Sequence, residues 1–435
     1  MHRHRRLLVV PIALATLFTL AAARAATAQH EGHTDVATAE NLGATTTAGA
    51  LSPKLHDLGS YSRKASTRSA QAQTYFDQGL MLAYAFNHAE AERSFREAQR
   101  LDPGFAMAWW GQAYVLGPNI NAPMDEGAVG SAYEAVRKAV ELEGKAKPWE
   151  QGLIAALAVR YGTDPKADRK PLDAAYARAM QDLATRHPKD PDILAMAAES
   201  IMDTDPWNYW TNDGHPRPYT EDVLRLIESA LAVSPSHPLA LHLHIHATEA
   251  SQDPDRALAS AEKLGRVAPG AGHLVHMPGH AFFRVGRYQD AVQANLDAIA
   301  VDESYITQCR AQGIYPAAYY PHNIHFLWIA SAYLGKSADA LDAAHKTASK
   351  AHPGCRCRPT SSWSRRCTRW SSSRAGRTCS GTPSRPPRTS SQPACGTSRA
   401  AWRSQTPATR APRRPSSRRC APRARTPRSH PSSSW

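Results

Sequence analysis

Sulfur is scarce where a fold could form. Six of the seven cysteines lie at or beyond residue 355, and only Cys309 precedes it. One thiol cannot close an intramolecular bridge, so the upstream region must be held together by its core. After residue 28 no stretch is long and apolar enough to span a bilayer. Nucleophile motifs, phosphate loops and dinucleotide fingerprints are missing too, which leaves an enzymatic reading to rest on other residues. Residues 355–435 lack Asp, Glu and Lys, and they also lack Val, Ile, Leu, Met, Phe and Tyr. Such a segment has nothing with which to bury a core and reads as a disordered tail.

That tail also explains a misleading charge. The whole chain carries +14, which on its own would suggest a nucleic-acid partner. Nineteen arginines within 355–435 account for all of it, and the chain up to Gly354 sums to −5. An acidic folded part offers phosphate backbones no basic surface, so no nucleic-acid partner is expected. The tail cysteines, in CRC and wide irregular gaps, match no metal-ligand spacing. The segment reads as a GC-rich coding stretch translated out of frame, a remnant of one or two further helical hairpins.

At the other end, MHRHRRLLVVPIALATLFTLAAARAATAQ sets Arg3, Arg5 and Arg6 before an apolar run, Leu7 to Ala22, with Ala26 and Ala28 ahead of Gln29. This is the pattern of a secretory signal, residues 1–28, cleaved at a small-residue site. The expected mature protein is exported to the periplasm or beyond and has no membrane span. Residues 29–70 read as a flexible lead-in and residues 71–354 as the folded region.

Within the folded region the sequence repeats. Residues 72–103, AQTYFDQGLMLAYAFNHAEAERSFREAQRLDP, set Tyr75, Gly79, Leu82, Ala91, Phe95, Ala98 and Pro103 at the small and bulky positions of a thirty-four-residue helical hairpin. The frame recurs at 238–271 and 272–305, fits 204–237 with an enlarged turn in TNDGHPRPYT, and resumes from Pro321 after an insertion at 306–320. Residues 106–203 are helical with a looser phase. The fold class is therefore all-α, a solenoid of antiparallel helical hairpins.

The stretches FDQGLMLAYAFNHAEAERSF, AMAWWGQAYVLGPNINAPM and HMPGHAFFRVGRYQDAVQAN resemble those of bacterial exported tetratricopeptide-repeat (TPR) proteins, over roughly Tyr75 to Ala344. The resemblance implies a concave groove lined by the first helix of each hairpin, a docking surface for a partner protein or peptide. Positions two, five, nine and twelve of those helices would face it. The general repeat pattern has no histidines there, yet this chain sets His242, His246 and Glu249 in one repeat, His273, His276 and His280 in the next, and His322 and His325 in a third. Each set falls within an arc of roughly 60° on its helix.

Imidazoles converging from neighbouring helices are the donors of zinc, copper, iron or nickel. The expected function is an exported scaffold that binds a partner or peptide in its groove and holds a metal ion on this histidine set. The alternative is a metalloenzyme with the groove as active site and Glu249, or Asp205, as base. His244, about 200° from His242 on the helix, reads as core-edge and His88 as structural; His215 and His237 fall in turns, and His30 and His33 in the lead-in. Phe76, Trp110, Tyr114, Tyr319 and Tyr320 read as packing residues.

Overall fold

The structure is a computed structural model describing residues 49–309, 311 and 314–351. The expected signal segment with His2 and His4, the start of the expected lead-in with His30 and His33, and the expected tail lie outside the described residues.

The described chain is all-α. Helix α1 (Ala70–Tyr84) pairs with α2 (His88–Leu101), α3 (Ala106–Leu116) with α4 (Val129–Leu142), and α5 (Pro148–Ala158) with α6 (Arg169–Arg186). The pairing continues through α7 (Pro191–Met202) with α8 (Thr220–Val233) and α9 (Pro238–Thr248) with α10 (Leu258–Val267). The next first arm is split into α11 (Gly272–His276) and α12 (Pro278–Arg284) and returns along α13 (Tyr288–Cys309); α14 (Tyr320–Tyr333) and α15 (Ser337–Ala351) follow. Among the described residues only two isolated bridges are extended, Asn119–Ala122 and Trp210–Pro216. No described helix is long and apolar enough to cross a membrane. The loose-phase region 106–203 thus resolves into two hairpins and the first arm of a third.

Local sequence accounts for these elements. Ser69 caps α1 by accepting from the Ala72 amide at 3.1 Å, and Asp190 caps α7 by accepting from Ile193, with Pro191 in the first turn. Gly79 lets α1 and α2 meet, because a Cβ there would lie 2.8 Å from the Phe95 ring. Pro278 has no amide proton for the helical ladder and divides the helix into α11 and α12.

In an open solenoid each repeat touches only its neighbours. Here α1 also packs on α9. Tyr61 and Tyr84 both donate to Asp192 on α7, which also pairs with Arg63 and accepts from His237 Nε2 at 3.1 Å. Burial would raise the Asp192 carboxyl, but Arg63 and His237 hold it below the ordinary range. His237, expected in a turn, is in addition the cap of α9, its Nδ1 accepting from the Ala240 amide at 3.2 Å. Residues 49–69 are pinned as well: the Leu51 amide donates to Glu97 and Ser52 Oγ to Glu90. The folded region therefore begins ahead of residue 71.

This crossing changes what the repeat pattern led one to expect of the groove. Phe76, Trp110 and Tyr114 are packed core residues, as expected, and Tyr114 donates to Glu199. Helix α1 meets side chains of a hairpin far along the repeat array, and the histidine stripes on α9, α11 and α12 are interior and do not form an open peptide-docking face.

Candidate metal centre

Helix α9 is buried on every side, as are α11 and the first five residues of α12. An all-buried helix is ordinarily apolar, so the polar residues within these require partners. His242, His246, His273, His276 and His280 have between 0 and 7 % of their surface exposed.

They fall into two triplets. His242, His246 and His273 form one and His276, His280 and His322 the other, with the ligand-capable atoms of each within 4.8 Å of one another. In the first, His242 Nε2 lies 3.1 Å from His273 Nε2. In the second, His280 Nε2 lies 2.9 Å from His276 Nε2 and 3.4 Å from His322 Nε2. Nitrogen donors at about 2.0–2.1 Å around a tetrahedral ion stand about 3.3 Å apart, so these spacings fit a first-row transition ion.

The hydrogen bonds on the far side of each ring settle which nitrogen is free. His242 Nδ1 donates to the Tyr84 carbonyl at 2.8 Å. His280 Nδ1 donates to Glu249 Oε2 at 2.5 Å. His276 Nδ1 donates to Asn295 Oδ1 at 2.7 Å, and that oxygen faces the ring because Asn295 Nδ2 donates to the Ala291 carbonyl at 2.7 Å. Gly279 makes room for this amide, since a Cβ there would lie 2.7 Å from Asn295 Nδ2. Each of these three rings, when neutral, turns the lone pair of Nε2 inward. Orienting partners of this kind are the usual outer shell of a metal-bound histidine.

Burial pushes His242, His273, His276 and His322 well below the ordinary histidine range, with repulsion among the rings adding to it. Burial lowers His246 too. The neutral imidazole so favoured is the form that binds metal. Both ring nitrogens of His246 and Nδ1 of His273 have no hydrogen-bond partner among the described residues, so these two rings lack the orienting support that His242, His276 and His280 have.

Aromatic rings wall the site. Phe86 packs on His242, His273 and His246 with centroids 4.5, 5.7 and 6.3 Å away. Phe326 packs on His280, His322 and His276 at 4.3, 4.8 and 5.0 Å. The Trp207 ring meets His246 edge-on at 5.0 Å, and Tyr319 meets His273 at 4.8 Å. Phe86 and Trp207 both adopt left-handed backbone, φ 55° and 65°, where a bulky residue is strained. The enlarged turn foreseen in TNDGHPRPYT also acts here, as Trp210 Nε1 donates to the Ala247 carbonyl near the end of α9 at 2.7 Å.

Three expected site residues stand elsewhere. Glu249 lies behind the rings and not among the inward-facing atoms: it accepts from His280 Nδ1, and its Oε1 is 3.8 Å from His246 Nδ1. Burial would raise its carboxyl, but His280 and His246 hold it below the ordinary range. His325 belongs to neither triplet. Three residues on from His322, it lies about 4.5 Å further along α14, beside Trp328. Asp205 accepts from Asn208 at 2.6 Å and Tyr219 at 2.9 Å within its own turn. His244 bonds Ser260 at 2.8 Å and His88 contacts Asn119 at 3.3 Å, both structural as expected. Tyr320 donates to Glu303 at 2.6 Å. Phe86, Trp207, Asn295 and Phe326 were not foreseen. Asn295 carried a signal, as a polar residue on the stripe of Ala291, Val292, Ala298 and Ile299.

No protein-family model matches the chain. No curated protein matches it either. Among solved structures it is similar to one described as the human IFIT1 dimer with PPP-AAAA, at 13 % identity and a TM-score of 0.31, covering 64 % of this chain and 72 % of that one. The assignment to helical hairpins of TPR-like pattern rests on the hairpins themselves.

Proposed function

We propose that this is an exported helical-repeat scaffold whose interior binds transition-metal ions on the two histidine triplets. The observation that carries the reading is the facing pair His276 and His280. Both Nδ1 atoms donate outward, to Asn295 and to a carboxylate, so in the neutral rings two lone pairs face each other at 2.9 Å. That arrangement is repulsive unless a cation lies between or beside them, and burial disfavours a proton on His276 in that role. The donor set is all imidazole, which suits zinc, copper, iron or nickel. Export is supported by the leader-like residues 1–28.

The test is metal analysis of purified full-length protein after reconstitution with zinc and removal of loosely bound ion. Stoichiometric zinc is expected, with loss from the second triplet in His276→Ala and His280→Ala. Protein that retains no zinc overturns the reading.

A further inference from the structure

Six imidazoles are more than a single tetrahedral ion accepts, so one ion would leave at least two buried rings without a ligand. The two triplets are also not independent. His273 of the first and His276 of the second share helix α11, three residues apart, with ring centroids 5.8 Å apart. His246 and His280, again one from each, lie 5.6 Å apart. A single carboxylate reaches both sets, Glu249 through Oε2 to His280 and through Oε1 toward His246. Each triplet supplies three donors, which leaves a tetrahedral ion one position open.

Resting on the metal-binding reading, we infer that the two triplets form one dinuclear centre that holds two first-row transition ions side by side, joined by a small bridging anion such as hydroxide. Two cations this near in a buried, aromatic-walled site repel strongly, and a bridging anion offsets that repulsion. Glu249 contributes negative charge from behind the rings of both halves.

Copper(II) is the probe, because its unpaired electron reports whether two ions are coupled. Metal-free full-length protein is loaded with Cu(II), excess ion is removed with a chelator, and copper content is compared with the integrated electron paramagnetic resonance signal. The expected result is two coppers per chain with well under half of the two-spin intensity, and a spectrum that changes on adding azide, a competing small bridge. His242→Ala and His322→Ala, each disrupting one triplet, should retain one copper with the full signal of one spin; circular dichroism checks that they are folded. His322 is only partly buried, so this variant guards against loss of the fold.

Two coppers with the full two-spin signal, or one uncoupled copper in the unaltered protein, would overturn the paired centre while leaving metal binding intact. No chelator-resistant copper would overturn both.

Discussion

Asn295 and His276 are joined by a 2.7 Å hydrogen bond in which the amide oxygen takes the Nδ1 proton, and the Ala291 carbonyl fixes the amide the right way round. One buried polar residue on α13 thereby sets the tautomer of a ring on α11. Replacing Asn295 by Ala should leave the helices intact and weaken metal binding about 10- to 100-fold, the usual consequence of losing such a support. Competition with a chelator of known affinity measures it; unchanged affinity would show that Asn295 does not orient the ring.

Glu249 should matter to affinity in a related way. Gln in its place keeps the size and an acceptor oxygen but removes the negative charge behind His280 and His246. A loss of about tenfold or more in metal affinity is expected, with helix content unchanged by circular dichroism. If Glu249→Gln binds metal as tightly as the parent, the charge contributes nothing.

Histidine burial gives the metal-free protein a pH dependence with a definite sign. Burial pushes His325 down to about 4, whereas an unfolded histidine titrates near 6.5. As pH falls between these values the unfolded chain takes up the proton first. The contribution of His325 to stability is therefore intact above about pH 6.5 and declines by about 1.4 kcal/mol per pH unit toward pH 4. Burial raises the carboxyls of Glu199, Asp203 and Asp302, which act in the opposite sense, so the bulk trend mixes both. Comparing the parent with His325→Leu by urea denaturation isolates one group. Relative to the parent, the variant should be about 2–3 kcal/mol better off at pH 4.5 than at pH 7.5. An identical difference at the two pH values would count against a buried neutral ring.

Phe86 sets backbone strain against packing. Glycine would relax the left-handed turn at φ 55°, a gain of about 1–3 kcal/mol. It would also delete a buried ring that touches all three histidines of the first triplet, and emptying a Phe site costs about 3–5 kcal/mol. Packing should prevail, with Phe86→Gly destabilised by about 2 kcal/mol in denaturant unfolding. A more stable variant would mean that the ring is poorly packed and that strain dominates.

The hairpins were legible because their signals are local. The spacing of Gly79, Phe95 and Ala98 reflects helices that must approach closely, and Pro103 ends a hairpin through backbone chemistry confined to a turn. The stripes of His242 with His246 and of His273, His276 and His280 were legible for the same reason, since 3.6 residues per turn fixes which side chains share a face. The supporting residues were not. Phe86 and His242 are far apart in the chain, and only the packing of α1 on α9 brings them together.

What the sequence alone determined is the helical-hairpin class, the pairing of helices outside residues 106–203, and the faces on which the imidazoles lie. The tertiary structure decided that these faces are enclosed, that six of the seven histidines divide three and three, and that Glu249 stands behind them. The physical reason is one of range: helix geometry and capping act over a few residues, whereas burial and donor convergence depend on contacts such as Tyr84 with His242, made between segments 158 residues apart in the chain.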